Sequence, residues 1–206
     1  RPHRHQERAF QRLGGPERLS TLLATGTGSG KTECFLYPVL DHCAREVGRP
    51  GVKAVLVYPM NALATDQAKR FAKAIAASPA LKGKVTAGLY VGGIGRETHG
   101  AMGPEHVITD REAMRTSPPD ILLTNYKMLD YLLIRPDDAR LWAENGPETL
   151  RFLVVDELHT FDGAQGADLA CLIRRLKARL KTPERHLCCI GTSATLGEGP
   201  EGMNAD

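Results

Sequence analysis

The chain has 206 residues, of which 42% are hydrophobic and 25% are charged, and its formal net charge is +3. These values are typical of a globular domain and exclude a disordered polyelectrolyte. The small positive charge permits a polyanionic partner without requiring one, so a nucleic-acid partner has to be argued from local features.

Six short apolar runs predict the strands of the domain. They cover residues 19–25, 52–59, 84–91, 120–125, 151–157 and 186–193. Most are almost continuously hydrophobic, which is typical of strands that helices cover on both faces. Apolar stripes at helical spacing predict helices over 61–77 and 167–181. Alternating strands and helices indicate an α/β domain with a mainly parallel sheet and helices on both faces.

Three stretches lack such patterns. Residues 92–106 are predicted to form a Gly-rich loop, residues 135–149 a polar connection, and residues 197–206 a flexible linker.

The cellular compartment is predicted from two features. No apolar run approaches the roughly 18 residues that span a bilayer, and the first ten residues lack the apolar core of a signal peptide. The five cysteines (Cys34, Cys43, Cys171, Cys188 and Cys189) show no CxxC spacing. We therefore expect reduced, buried thiols, a cytoplasmic protein and no membrane partner. Because the chain does not begin with Met, we also expect it to be a piece of a longer polypeptide.

The stretch "TLLATGTGSGKTE" (residues 21–33) places a glycine cluster between a predicted strand and a predicted helix. Such a loop turns its N–H groups inward around phosphate oxygens, and the helix N-terminus adds partial positive charge. Lys31 would bind the β- and γ-phosphates of ATP, and Thr32 would place its hydroxyl on Mg²⁺. The alternative is a tight turn beside a solvated lysine. The predicted nucleotide-binding residues of this loop are Thr25, Gly26, Thr27, Gly28, Ser29, Gly30, Lys31 and Thr32, where Thr25 replaces the first glycine of the usual pattern.

A second stretch, "FLVVDELH" (residues 152–159), ends a hydrophobic strand with two carboxylates. Asp156 is the candidate ligand of Mg²⁺, and Glu157 is the candidate base for the attacking water. Alone, this pattern fits a plain strand end equally well. Paired with the glycine loop it indicates a nucleotide site, because ligands of such sheets bind at the carboxyl ends of strands.

Four stretches together resemble the motifs of superfamily 2 helicases in their usual order: "ATGTGSGKTE", "YPMNALATDQ", "VVDELH" and "GTSATLG". The sequences of these four motifs are most similar to those of bacterial YprA/MrfA-type DNA helicases and of large helicases of anti-phage defence systems. The resemblance implies a RecA-like P-loop NTPase domain over residues 1–197. Residues 198–206 would then lead to a second RecA-like domain, which in relatives supplies arginine fingers to the γ-phosphate.

The resemblance also implies roles for single residues. Gln6 lies 25 positions before Lys31, about where relatives have an adenine-reading glutamine. His159 would couple nucleotide state to the partner domain. The "SAT" triplet, Ser193, Ala194 and Thr195, would link hydrolysis to strand separation. The alternatives are an exposed helical glutamine, an ordinary surface or core histidine and a plain turn.

Further residues would contact the backbone of a nucleic acid at the same edge of the sheet. They are Pro59, Asn61, Gly92, Gly93, Thr124 and Asn125. Met60 stands where many relatives have threonine, so the hydroxyl–phosphate contact of those relatives is expected to be either missing or replaced by Asn61. Ordinary loop residues are the alternative. The basic run over residues 174–181 is interpreted as a solvated helix face, and the low aromatic content of 5% predicts no prominent base-stacking platform.

The predicted function is therefore that of an ATP- and Mg²⁺-dependent helicase or translocase domain that acts on DNA. Three alternatives stay open: an RNA helicase of the same fold, a P-loop ATPase switch without a nucleic-acid partner, and an inactive binding module. Intact Lys31, Thr32, Asp156 and Glu157 argue against the inactive module. Without a second domain, residues 1–206 alone are expected to bind nucleotide weakly and to hydrolyse it slowly.

Overall fold

The computed structural model describes residues 2–26, 28–93 and 98–194. The helices are α1 (Arg4–Gly14), α2 (Lys31–Arg45), α3 (Asn61–Ala77), α4 (Arg111–Thr116), α5 (Tyr126–Ile134) and α6 (Gly163–Leu180). The strands are β1 (Thr21–Ala24), β2 (Ala54–Tyr58), β3 (Ala87–Tyr90), β4 (Ile121–Asn125), β5 (Phe152–Val155) and β6 (Cys188–Ser193). Two short 3₁₀ helices cover Pro136–Trp142 and Leu158–Thr160. The predicted linker lies outside the described residues.

The six strands form one sheet in the order β1-β6-β5-β2-β4-β3. Every neighbouring pair is parallel, which confirms the predicted parallel sheet. Each strand lies inside a predicted apolar run, and the runs extend beyond the strands by up to a few residues because flanking apolar residues also pack. Since the strands run in one direction, the segments that follow them all emerge at the same edge of the sheet.

Helices cover both faces of the sheet, as predicted. On one face α1, α2 and α3 bury a core that includes Phe35 and Phe71. On the other face α4, α5, α6 and the longer 3₁₀ helix bury a second core that includes Leu172 and Trp142. Neighbouring strand residues alternate between the two cores, as Cys188 and Cys189 do. All five strand residues of β2 are buried because this strand is covered on both sides.

The amino ends of three adjacent strands are held together by a buried ion pair. Lys53, just before β2, is 2% exposed, and its Nζ lies 2.6 Å from Oδ1 of Asp120, just before β4. The second carboxylate oxygen of Asp120 accepts hydrogen bonds from the backbone N–H and the hydroxyl of Thr86, before β3, at 2.7 and 3.0 Å. A buried charge with this many partners orders the edge opposite to the predicted site.

Two predictions need correction. The segment 135–149 is more than a polar connection, because it contains the 3₁₀ helix Pro136–Trp142 and buries Leu141 and Trp142. The indole Nε1 of Trp142 donates to the carbonyl of Leu132 at 2.9 Å, a partner that the local sequence does not reveal. The cysteines are free, but Cys171 is exposed and Cys189 is half-buried, so burial is not general. Among the described helices none is long and apolar enough to cross a bilayer.

His42 of α2 is a buried histidine without a salt-bridge partner. It is 6% exposed, packs edge-on against Phe152 with ring centroids 5.5 Å apart, and neither ring nitrogen has a hydrogen-bond partner among the described residues. Burial, aided by the charges of Arg18 and Arg151, lowers the pKa of His42 from 6.5 to about 3. The native chain therefore holds this imidazole neutral at a pH where the unfolded chain has protonated it.

This difference makes the free energy of unfolding depend on pH. The contribution of the neutral His42 to the free energy of unfolding is fully present above pH 6.5. It is lost as the pH falls towards 3, by at most about 1.4 kcal/mol per pH unit. The variant His42→Leu removes this titratable group. When the pH is lowered from 7 to 5, we expect the free energy of unfolding to fall by about 2 kcal/mol less in His42→Leu than in the wild type. Urea unfolding at pH 7 and at pH 5, followed by the fluorescence of Trp142, the one tryptophan, measures the free energy of unfolding of the wild type and of the variant. Identical losses in the two proteins would contradict the assignment.

Candidate nucleotide site and nucleic-acid edge

Two glycines shape the loop between β1 and α2. The φ angles of Gly28 and Gly30 are +73° and +79°, in the left-handed region that favours glycine. A Cβ atom at position 30 would also lie 2.5 Å from Nε2 of Gln6. Gly30 is the N-cap of α2, so the loop presents the N–H groups and the positive dipole end of a 15-residue helix.

Lys31 begins α2 and folds back over the loop. Its Nζ donates to the carbonyl oxygens of Thr25 and Gly26 at 2.7 and 3.1 Å. An ammonium group carries three donors, so these contacts leave one for a phosphate. The hydroxyl of Thr25 lies 2.7 Å from that of Ser29. Thr25, which replaces the usual first glycine, thus closes the loop with its side chain.

Gln6 joins α1 to the same loop. It is 8% exposed, so it is not an exposed helical glutamine. Its Nε2 donates to the carbonyl of Gly30 at 3.2 Å, and its Oε1 accepts from the backbone N–H of His3 at 2.8 Å. His5 Nε2 lies 2.9 Å from the carbonyl oxygen of Ser29. These contacts fix the amide of Gln6 beside the loop and leave one of its two N–H donors for a ligand.

Asp156 follows β5 and is 8% exposed. Its Oδ1 accepts a hydrogen bond from the hydroxyl of Thr192. The same hydroxyl accepts from the backbone N–H of Glu157 at 3.1 Å. Thr192 lies near the end of β6, the strand next to β5, and thereby orients the carboxylate of Asp156. Thr192 was not among the predicted site residues, although it directly precedes Ser193 in "GTSAT".

Glu157, His159 and Ser193 form a second group beside Asp156. Glu157 holds a φ angle of +49°, which costs a non-glycine residue about 1 kcal/mol and is common at functional sites. Its Oε2 lies 3.5 Å from Nδ1 of His159, and that nitrogen lies 3.3 Å from the hydroxyl of Ser193. Ala194, half-buried, follows Ser193. The predicted residues Thr27 and Thr195 lie outside the described residues.

The glycine loop and the two carboxylates face one open cleft of about 380 Å³. Of the predicted residues, it is lined by Gly28, Ser29, Gly30, Lys31, Thr32, Asp156 and Glu157. Lys31 and Asp156 therefore share a single cleft, as a nucleotide site requires. Four further residues, which were not predicted for this site, also line the cleft: Glu33, Leu63, Gln67 and Arg70. Three of these lie on α3, where their spacing puts them on one helical face and could have revealed them.

The ends of β2, β3 and β4 meet through side-chain amides. Nδ2 of Asn61, the first residue of α3, donates to the carbonyl of Gly92 at 2.8 Å. Nδ2 of Asn125, the last residue of β4, donates to Oδ1 of Asn61 at 2.6 Å. Pro59 and Gly92 are half-buried, and Asn61 and Gly93 are exposed. The structure thus gathers Pro59, Asn61, Gly92, Gly93 and Asn125 at one edge.

The side chain of Thr124 does not join this exposed edge. It is 0% exposed, and its hydroxyl donates to the carbonyl of Tyr90 at 2.6 Å. The Thr124 hydroxyl is thus engaged within the sheet, and the contact of Thr124 with a nucleic-acid backbone stays a prediction. Thr124 ties the end of β4 to the end of β3, and its neighbour Asn125 is the residue that reaches the surface.

A larger cleft of about 590 Å³ adjoins the edge and is lined in part by Asn61, Gly92 and Asn125. Tyr126, Tyr131 and Phe161 also line it. The rings of Tyr126 and Phe161 pack edge-on at 5.8 Å, and Tyr131 is 43% exposed. The chain has few aromatic residues, but the fold collects three of them beside the predicted backbone contacts, which the low aromatic content did not suggest.

The basic run on α6 is a solvated face, as interpreted from the sequence. Arg174, Arg175, Lys177 and Arg179 are exposed, while Leu172 and Leu176 of the same helix are buried. Arg175 pairs with Asp130 of α5 at 2.6 Å. The cationic side chains therefore face solvent or a neighbouring helix.

The chain resembles known proteins over nearly its whole length. The model of the DEAD/DEAH box helicase family matches residues 3–202. The Druantia protein DruE of Escherichia coli (strain UMEA 4076-1) is 30% identical over 98% of this chain and 16% of its own length. The ATP-dependent helicase YprA of Bacillus subtilis (strain 168) is 32% identical over 96% of this chain and 23% of its own length.

Solved structures agree with these matches. The DUF1998 helicase MrfA bound to DNA and AMPPNP superposes with a TM-score of 0.72 and 28% identity, over 97% of this chain and 25% of that one. The helicase Lhr of Mycobacterium smegmatis bound to ssDNA and AMP-PNP gives a TM-score of 0.68 and 26% identity, over 95% of this chain and 23% of that one. The chain thus spans a quarter or less of these relatives.

We expect Gly30→Ala to weaken nucleotide binding about tenfold or more, because its Cβ would collide with the fixed amide of Gln6 and strain a left-handed residue. Titration with a fluorescent ATP analogue measures this loss. Gly48→Ala is the matched control, since Gly48 has a φ angle of +86° and open space around it. It should lower stability through backbone strain and leave the affinity unchanged. Equal affinities of Gly30→Ala and the wild type would contradict the proposed packing.

Proposed function

Because this chain belongs to the DEAD/DEAH box helicases, we propose that it is the first RecA-like, ATP-binding domain of a helicase or translocase that acts on DNA. The observation that carries the proposal is the single cleft that Lys31 shares with Asp156 and Glu157. A phosphate-binding loop, a metal-binding carboxylate and a candidate base have to meet in this way before a triphosphate can be hydrolysed.

Each residue of the cleft has a chemical task in this proposal. The N–H groups of the glycine loop and the ammonium group of Lys31 would bind the phosphates. Thr32 and Asp156 would hold Mg²⁺, which needs only one or two protein ligands because phosphate and water supply the rest. When bound, Mg²⁺ would neutralise charge on the phosphates. Glu157 would orient the attacking water and accept its proton.

Two further residues, Gln6 and His159, would bind the adenine ring and transmit the effect of hydrolysis to the rest of the domain. Gln6 would use its second N–H donor on an acceptor of the adenine. His159 contacts both Glu157 and Ser193, so it would relay changes at the γ-phosphate to the "SAT" segment. A second RecA-like domain would complete the site with arginine fingers, and residues 1–206 alone would then turn over slowly.

The nucleic acid would cross the edge formed by Pro59, Asn61, Gly92, Gly93 and Asn125. The first turn of α3 has no side-chain cap on Met60, so its N–H groups can receive a backbone phosphate. Such contacts carry no sequence information. Solved MrfA and Lhr structures, which contain DNA, support DNA as the partner. The free cysteines support the cytoplasm as the compartment.

An RNA helicase of the same fold is the second candidate. Contacts to the backbone phosphates do not by themselves distinguish the sugars, and a putative DEAD-box ATP-dependent RNA helicase 29 of Arabidopsis thaliana is 30% identical over 66% of this chain. The 2′-OH is the group that separates the two possibilities.

We expect Lys31→Ala in the intact protein to lower the single-stranded-DNA-stimulated ATPase rate at least about 100-fold, because it removes the cation that binds the transferred phosphoryl group. Phosphate release with and without single-stranded DNA measures the rate. Lys177→Ala, on the solvated face of α6, is the matched control and should retain the wild-type rate. Stimulated turnover that survives Lys31→Ala would refute the assigned site.

We expect Asn61→Ala to weaken binding of single strands about fivefold, and by the same factor for different sequences, because Asn61 organises backbone contacts rather than base contacts. Fluorescence anisotropy with DNA and RNA strands of matched sequence measures the loss and the preferred sugar. Tighter binding of RNA than of DNA in the wild-type protein would favour the second candidate. A loss confined to one sequence would show that the edge reads bases.

A further inference from the structure

Helix α3 separates two cavities that belong to different parts of the proposed reaction. Leu63, Gln67 and Arg70 lie on one face and line the nucleotide cleft. Asn61, Thr65 and Lys69 line a cavity of about 410 Å³ that also includes Gly92 and Gly93 of the nucleic-acid edge. A single 17-residue helix is therefore a wall of both cavities.

The nucleotide end of this wall carries a charge arrangement that phosphate binding would disturb. Arg70 forms an ion pair with Glu33, which lies in the first turn of α2, directly after Thr32. Both side chains line the nucleotide cleft. A triphosphate next to Glu33 would repel its carboxylate, and the guanidinium of Arg70 offsets that repulsion. With five donors in a rigid fork, Arg70 can hold a carboxylate and a phosphate together.

Gln67 gives a second, independent sign that the cleft-facing side of α3 meets a ligand. Its side chain is 92% buried, being 8% exposed, and its Oε1 has no hydrogen-bond partner among the described residues. Buried polar atoms normally have partners, so an acceptor without one beside a cleft calls for a donor from the bound ligand or its water.

The other end of α3 is tied to the nucleic-acid edge. Asn61 bonds to the carbonyl of Gly92 and to the side chain of Asn125 at 2.8 and 2.6 Å. Asn61 and Arg70 are nine residues apart, about 14 Å along a helix. Phe71 and Ile75 anchor the helix in the core at 0% and 2% exposure. Because one continuous helix joins the two residues, a displacement at Arg70 would also displace Asn61.

We propose that α3 couples the nucleotide cleft to the nucleic-acid edge, with Arg70 as the positioning residue at the nucleotide end. The inference rests on the proposed function and adds a route of communication within this one domain. Because coupling between two binding sites is reciprocal, nucleotide should change strand affinity by the same factor by which a strand changes nucleotide affinity.

The experiment measures that factor in the intact protein. The dissociation constant for a labelled single-stranded DNA is determined without nucleotide and at AMPPNP concentrations shown by titration to saturate each variant. We expect the two constants to differ at least about fivefold in the wild type, the low end of typical coupling. In Arg70→Met, which keeps side-chain length and removes the charge, the ratio should fall to within about twofold of one.

Two further variants separate coupling from general effects. Lys73→Met removes a cation one turn further along α3, where Lys73 pairs with the exposed Glu105, and should keep the wild-type ratio. Glu33→Gln in the Arg70→Met background should recover part of the lost AMPPNP affinity, since the unpaired carboxylate is gone. It should not restore the ratio. Partial recovery of the ratio by Arg70→Lys would support the role of positive charge at this position.

Three results would overturn the inference. Arg70→Met could keep the wild-type ratio, or Lys73→Met could lower the ratio as much as Arg70→Met does. The wild type could also hydrolyse ATP and bind DNA with a ratio of one. By contrast, a wild-type protein that neither hydrolyses ATP nor binds DNA would refute the proposed function itself, and the coupling with it.

Discussion

The parallel alignment of the six described strands is the constraint on which both functional regions depend. The loop after β1, the acid pair after β5, and Ser193 with Ala194 at the end of β6 therefore lie at one edge of the sheet. The order β1-β6-β5 then makes neighbours of segments that are far apart in sequence. Their meeting needs no special contact, because the register of the sheet already places them side by side.

Strand pairing brings the segments close, and a few hydrogen bonds give them orientation. The hydroxyl of Thr192 contacts both the carboxylate of Asp156 and the backbone of Glu157. The backbone N–H of Thr25 bonds to the carbonyl of Ser193 at 3.4 Å, which ties the glycine loop to the end of β6. These hydrogen bonds join the three segments, so a displacement of one of them would also change the contacts of the other two.

How much of this could be predicted from the sequence depends on the range of each interaction. Strands covered on both faces leave continuous apolar runs, so β2 and β5 were predictable from composition alone. The glycine loop was predictable because its residues act next to one another in the chain. The role of Thr192 was not predictable, since its partner Asp156 is 36 residues away and the stretch "GTSATLG" does not show which side chain Thr192 contacts. The burial of Trp142 was not predictable for a similar reason, because the hydrogen-bond partner of its indole is a backbone carbonyl on another element.

Buried polar groups of the described residues are paired at some places of the sheet and lack hydrogen-bond partners at others. At the amino ends, Lys53 and Asp120 satisfy one another and their backbone neighbours. At the carboxyl ends, the hydroxyl of Tyr58 and Oε1 of Gln67 are buried without partners among the described residues. Burial and the nearby charge of Asp156 raise the pKa of Tyr58, so its proton stays in place. Each unpaired group costs roughly 1–3 kcal/mol. Oε1 of Gln67 lies beside the nucleotide cleft, where a bound ligand or its water could supply the missing donor. The unpaired ring nitrogens of His42 are instead buried against Phe152, the first residue of β5, where the low pKa of the imidazole is their consequence.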